Sequence, residues 1–164
     1  MFTRSEELLE RALRVIPNGT QTFSKSRTNL PFGVSPFYAS KAEGAKLWDA
    51  DGNEYIDCIS GLTAIILGYN DPEVNAAAKE QVDRGVIYSL PHELEIEVSE
   101  LICDMTGAEM VRFGKNGSDA TAGAIRVARA YTGRDHVAMC GYHGYGDWSI
   151  GISGRNLGVP QAVR

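Results

Sequence analysis

Apolar residues at Leu8, Leu9, Ala12, Leu13 and Ile16 fall three and four apart, the spacing of one helix face, and the run stops at Pro17 and Asn18-Gly19. Ser5 stands where an N-cap would, so the pattern predicts a short docking helix. Between Thr20 and Ser40 the periodicity disappears. Pro31, Gly33 and Pro36 interleave with aromatics and hydroxyls there, as in an ordered but irregular arm. Over 45–59 the apolar positions alternate on either side of Asp51-Gly52, predicting a β-hairpin with a tight turn, since both residues tolerate positive φ. "GLTAIILG" at 61–68 then reads as a buried connection.

Asp71 as cap, Pro72 at the first helical position and Gly85 as stop delimit a further helix, and another fits Glu93 to Met105. Met110–Phe113 reads as a strand, Gly114 to Ser118 as a loop, Asp119 to Tyr131 as a helix and His136–Cys140 as a second strand. Strand, helix, strand is a βαβ unit of an α/β fold, with parallel pairing and a right-handed crossover. Ligands sit at the loops that leave the carboxyl ends of such strands.

Composition narrows the class. With 164 residues, 43% of them hydrophobic and 23% charged, the chain has material for one ordinary core. Sixteen basic against 21 acidic side chains leave a net charge of −5, which argues against a nucleic-acid partner. Cys58, Cys103 and Cys140 lie far apart with no C-x-x-C pair, so reduced and mostly buried thiols in a cytoplasmic protein are expected, without metal. The N-terminal pattern is amphipathic rather than a basic segment followed by an apolar run, and no stretch approaches about eighteen continuous apolar residues, so a soluble, intracellular protein is expected.

Within "FGKNGSDA" at 113–120 the loop precedes a helix whose first amides lack intrahelical partners and whose dipole favours an anion. Gly117 would allow close approach, and Ser118 could cap the helix while donating to a phosphate; a glycine turn with a serine cap accounts for the same residues. Lys115 beside it could help bind an anion, but reads more readily as a solvated loop lysine. No G-K-[ST] P-loop and no G-x-G-x-x-G is present. In "CGYHGYGDW" at 140–148, Tyr142 could lie flat on a conjugated ring and His143 could hydrogen-bond or exchange a proton near it, with a tyrosine-rich surface turn as the plainer reading. A phosphorylated aromatic ring satisfies both features, and pyridoxal 5'-phosphate is the commonest such cofactor.

"IPNGT", "LWDADGNEYID", "LGYNDPEV", "LPHELEIEV", "EMVRFGKNGSDATAGAIRVARAYTGRDHV" and "GYHGYGDW" occur in an order that resembles class III aminotransferases, and among them the glutamate-1-semialdehyde aminomutase-like subgroup. The resemblance implies the N-terminal part of a pyridoxal-phosphate-dependent transferase of the aspartate aminotransferase-like fold type I. Residues 1–60 would contribute an N-terminal helix, arm and hairpin to the small domain, and 61–164 would begin the large domain. Asn116, Gly117 and Ser118 would fill the family's phosphate loop, with Asp119 in its acidic place, and Tyr142 would stack on the pyridine ring. A homodimer acting on a small-molecule amino donor and carbonyl acceptor is implied as well.

The family's Schiff-base lysine and pyridine-nitrogen acid lie downstream of the phosphate loop. None of Lys25, Lys41, Lys46, Lys79 and Lys115 stands in that lysine's context, so the chain alone is expected to be an inactive fragment. By the same resemblance Lys25 falls near the arginine that holds the aminomutase substrate's carboxylate, and Leu62 replaces an aromatic of that site. Lysine keeps the charge and loses the bidentate fork, which favours another acceptor. The aminomutase itself, and a degenerate binding or dimerisation module, stand as the other two readings.

Overall fold

The computed structural model describes residues 2–31, 33–154 and 156–163. Two compact units, Met1–Tyr88 and Ser89–Arg164, make up the chain. The first contains α1 (Thr3–Leu13), β1 (Ala39–Glu43), β2 (Lys46–Asp49), β3 (Glu54–Ile56), the single turn α2 (Ser60–Thr63) and α3 (Pro72–Arg84). The second contains α4 (Glu93–Thr106), α5 (Gly117–Thr132) and α6 (Asp147–Ile150).

Helix α1 buries Leu9 and Ala12 as its spacing predicts. It starts earlier than expected, however, and Ser5 is not its cap: Ser5 lies fully buried inside the first turn, and the N-cap residue Phe2 offers no side-chain acceptor. The free amides are satisfied from elsewhere. Asp51, at the tip of the hairpin, accepts from Arg4 N–H at 2.6 Å and Ser5 N–H at 2.9 Å. A carboxylate at a helix start meets both orphan donors and the positive end of the dipole.

The hairpin forms where Asp51-Gly52 places it. β2 pairs antiparallel with β3 (Lys46 opposite Ile56, Trp48 opposite Glu54), and β1 adds a third strand on the other side of β2, in the order β1-β2-β3. The strand β1 takes over the end of the segment expected to be irregular; position 32 of that arm lies outside the described residues. The loop spans Ala50 to Gly52 rather than two residues, because Gly52 N–H bonds Asp49 O while Asp49 N–H bonds Asn53 O. Gly52 alone takes the left-handed conformation, φ +85°, as a three-residue loop with a glycine bulge requires.

Asp49 organises this loop. Only 1% exposed, its carboxylate accepts from Asp51 N–H (2.9 Å), Asn53 N–H (2.8 Å), Asn53 Nδ2 (2.9 Å) and Tyr55 OH (2.8 Å). Burial by itself raises the carboxyl, but these donors outweigh it and hold Asp49 below the usual carboxylate range. Asp51 is likewise held low, the α1 amides overcoming its desolvation.

Asp71 caps α3 by accepting from Glu73 and Val74 N–H at 3.0 Å, with Pro72 following and Gly85 closing the helix. His92 Nδ1 and Glu95 form a reciprocal cap on α4, whose end is the left-handed Gly107. The helix of the expected βαβ unit is present as α5, ending at left-handed Gly133. Its two strands are not. Over 110–113 and 136–140 the backbone belongs to no ladder among the described residues, since a parallel strand exists only by hydrogen bonds to neighbours and none is supplied here.

Burial also departs from expectation. Cys58 and Cys140 are exposed and Cys103 is intermediate, and the 61–68 connection carries Ile66 at 89% and Leu67 at 72% exposure. No residue of α3, α4 or α5 is buried, although their sequences carry apolar faces. Apolar spacing predicts which face can be covered; covering it takes a second layer.

Candidate cofactor site

Asn116 caps α5: its Oδ1 accepts from Asp119 N–H at 3.0 Å, and its carbonyl accepts from Ala120 N–H at 3.1 Å. Ser118 therefore is not the cap. It sits inside the first turn, where its hydroxyl is free for other work. Among the described residues the N–H groups of Gly117 and Ser118 take no acceptor, leaving two donors at the positive end of a 16-residue helix. A Cβ built on Gly117 would meet nothing within 4 Å, so the space beside these donors is open to a ligand.

The loop that carries Tyr142 and His143 lies against this helix start. Tyr145 N–H donates to Ser118 Oγ at 3.3 Å, and Thr121 Oγ1 donates to His143 O at 3.0 Å. Gly144, with φ +106°, packs so closely that a Cβ there would fall 2.5 Å from Ser118 Oγ and 3.1 Å from Ser118 Cα. Only glycine fits both the backbone conformation and the gap. The ring of Tyr142 is 82% exposed, leaving its face available. His143 is turned back: Nε2 contacts Cys140 O, and its ring lies 6.3 Å from that of Trp148. Trp148 Nε1, in α6 just after this loop, is buried without a partner among the described residues.

The five residues expected at the cofactor, Asn116, Gly117, Ser118, Tyr142 and His143, are thus brought together within the second unit. Thr121 and Gly144 were not singled out from sequence. The signal for Thr121 was its position three residues after Ser118, on the same helix face. These residues fit a phosphorylated ring in the chemistry of their groups, two unpaired amides and a hydroxyl, with an exposed tyrosine on the loop that rests against them.

Lys25 and Leu62 belong to the first unit. Lys25 ends a 3-10 turn (Phe23–Lys25) and is exposed, lining a small recess with Asn18, Thr20, Arg27 and Tyr38. Leu62, 47% exposed, lies in α2, where Ser60, Gly61, Leu62 and Thr63 all have positive φ, from 52° to 67°. Such a run is costly for residues bearing a Cβ. Asp57 holds it by accepting from Ile59 N–H (2.8 Å), Gly61 N–H (3.3 Å) and Tyr69 OH (2.6 Å). The Tyr69 bond, then the amides, pull the Asp57 carboxyl below its ordinary range and push the Tyr69 hydroxyl up. A cleft of about 320 Å³ opens beside this turn, lined by Gly44, Asp57, Ser60, Ile65, Leu67 and Tyr69.

Solved structures of transaminases share this fold. An omega-transaminase from Sphaerobacter thermophilus superposes with a TM-score of 0.82 at 36% identity, over 97% of this chain and 39% of that one. A transaminase with PLP bound gives 0.81 at 33% identity, over 91% and 35%. The architecture is that of the pyridoxal-phosphate-dependent transferases of fold type I.

The family model described as aminotransferase class-III matches residues 30–161, and this chain belongs to that family, whose members are pyridoxal-phosphate-dependent enzymes. Among curated relatives, the glutamate-1-semialdehyde 2,1-aminomutase 2 of Exiguobacterium sp. is 38% identical over 98% of this chain. The chain spans 38% of that relative's length.

Proposed function

We propose that the whole protein is a pyridoxal-phosphate-dependent aminotransferase that moves an amino group from a small-molecule donor to a carbonyl acceptor. In it, Gly117 and Ser118 N–H and the Ser118 hydroxyl bind the phosphate, Asn116 fixes the helix start, and Tyr142 rests on the ring face with His143 beside it. When bound, the cofactor supplies an electron sink; the protein supplies binding, orientation and electrostatics. The observation that carries this reading is the contact of the Tyr142–Tyr145 loop with the start of α5, which joins a phosphate-type donor set to an aromatic face. A cytoplasmic homodimer, with residues 1–60 in its small domain and 61–164 in its large one, completes the proposal.

Titration of the cofactor-free whole protein with pyridoxal phosphate, followed by absorbance, tests it. Ser118→Ala removes a charge-assisted donor, an interaction of about 1.5–3 kcal/mol, and should weaken binding by about tenfold or more. Tyr142→Ala should weaken retention and alter the spectrum of the bound cofactor. Unchanged affinity and spectrum in both variants would refute the assigned roles.

The identity to an aminomutase supports a second reading, conversion of glutamate 1-semialdehyde to 5-aminolevulinate. Lys25 and Leu62, which depart from the aminomutase pattern, favour a different acceptor. Incubation with the semialdehyde decides between them, and absence of 5-aminolevulinate removes the second.

A further inference from the structure

We infer that Thr121 is a positioning residue of the cofactor site, holding the Tyr142–Tyr145 loop on α5 and thereby fixing which way the Ser118 hydroxyl can donate. This rests on the pyridoxal phosphate reading above.

Helical hydroxyls ordinarily satisfy themselves on their own helix. Ser99, Thr106 and Thr132 do so, each donating to the carbonyl four residues before it at 2.6–2.8 Å. Thr121 differs: its one proton is shared between Ser118 O at 3.1 Å and His143 O at 3.0 Å, and the second, nearer acceptor lies 22 residues away. That tie lands one residue before Gly144, whose missing side chain lets the loop close on Ser118. Closure brings Tyr145 N–H onto Ser118 Oγ at 3.3 Å.

A hydroxyl has one proton and two acceptor positions. With one of those positions filled by Tyr145 N–H, the Ser118 proton is directed away from the loop, and no carbonyl among the described residues takes it. It is left to donate to an anion alongside the unpaired Gly117 and Ser118 amides. Without the Thr121 tie the loop can lift, the Ser118 hydroxyl can rotate, and the Tyr142 face loses its fixed place.

The test uses the cofactor-free whole protein and two ligands, pyridoxal phosphate and pyridoxal, titrated by absorbance. Thr121→Val keeps the branched shape and removes the hydroxyl. It should weaken pyridoxal phosphate by about 3- to 10-fold, the value of one hydrogen bond, and pyridoxal by less. Thr121→Ser should restore binding to within about twofold of the parent. On a Ser118→Ala background, Thr121→Val should cost markedly less than alone, because the two act through one hydroxyl. Gly144→Ala attacks the same contact from the loop side and should reproduce the loss. Parental affinity in Thr121→Val, failure of Thr121→Ser to rescue, or full additivity with Ser118→Ala overturns the inference. If Thr121→Val and Gly144→Ala both fail to fold, the role is structural and the inference is equally overturned. Absence of pyridoxal phosphate binding by the unsubstituted protein is a different result, since it removes the cofactor reading itself and the inference with it.

Discussion

Asp49→Ala should loosen the hairpin far more than its single side chain suggests. The buried carboxylate serves four donors, two through Oδ1 (Asp51 and Asn53 N–H) and two through Oδ2 (Asn53 Nδ2 and Tyr55 OH). Asn53 and Tyr55 are half-buried and can turn toward water, so their loss is partly made good. The two main-chain amides have no such freedom. Hydrogen bonds to a charged partner contribute about 1.5–3 kcal/mol each, and the lower value for each amide gives about 3 kcal/mol. Hydrogen exchange of the whole protein, read on peptides covering 39–56, should show protection falling about a hundredfold, since 1.4 kcal/mol is a factor of ten. Asp49→Asn is the informative control. Its remaining oxygen can keep both amides as neutral bonds, while its NH₂ group opposes the other two donors until Asn53 flips and the Tyr55 hydroxyl rotates, so the loss should be about half as large in free energy. Protection in Asp49→Ala within about threefold of the parent would show that the network is ornamental to the hairpin's stability.

Acid should act on the same region. Asp49, Asp51 and Asp57 all have carboxyl groups held below their ordinary range, so the stability they contribute is present above the unfolded-state value of about 4 and is lost as pH falls through the lowered folded values. Exchange protection over 3–13 and 39–61 should be level between about pH 5 and 7 after correction for intrinsic rates and fall below about pH 4; loss that begins near neutrality would contradict this. Tyr69→Phe removes the 2.6 Å bond to Asp57 and should cost about 1 kcal/mol locally, read as faster exchange at Ile59 to Ile65, where the left-handed turn is held; unchanged exchange would leave the turn's conformation to other contacts.

The elements legible from sequence were those whose start and stop are written locally. Asp71-Pro72 with Gly85, Asp51-Gly52 and the α5 spacing each act within a few residues, and the structure forms a helix or turn at each. Ser5 and Ser118 misled for a shared reason. A serine before an apolar run can cap, yet a better acceptor was present, supplied by Asp51 from 46 residues away in one case and by neighbouring Asn116 in the other. Strands at 110–113 and 136–140 were read from composition, but a strand is a relation between segments, and the described residues hold no partner for either. Exposure of Cys58, Cys140, Ile66 and Leu67 follows the same logic, because sequence marks a surface as coverable without supplying the cover. The cofactor residues were legible as loop chemistry and by family likeness. Thr121 was not, since its consequence lies in a bond to a loop 22 residues on.

The hold of Asp51 on the first turn of α1 makes that helix conditional. An 11-residue helix is marginal in water, and this one has no acceptor of its own at its beginning. Its first turn becomes secure only when the hairpin tip is shaped to present a carboxylate, which the Asp49 network does. The N-terminus is therefore fastened by the hairpin tip, so the two order together and a fault at the tip is felt at residue 4.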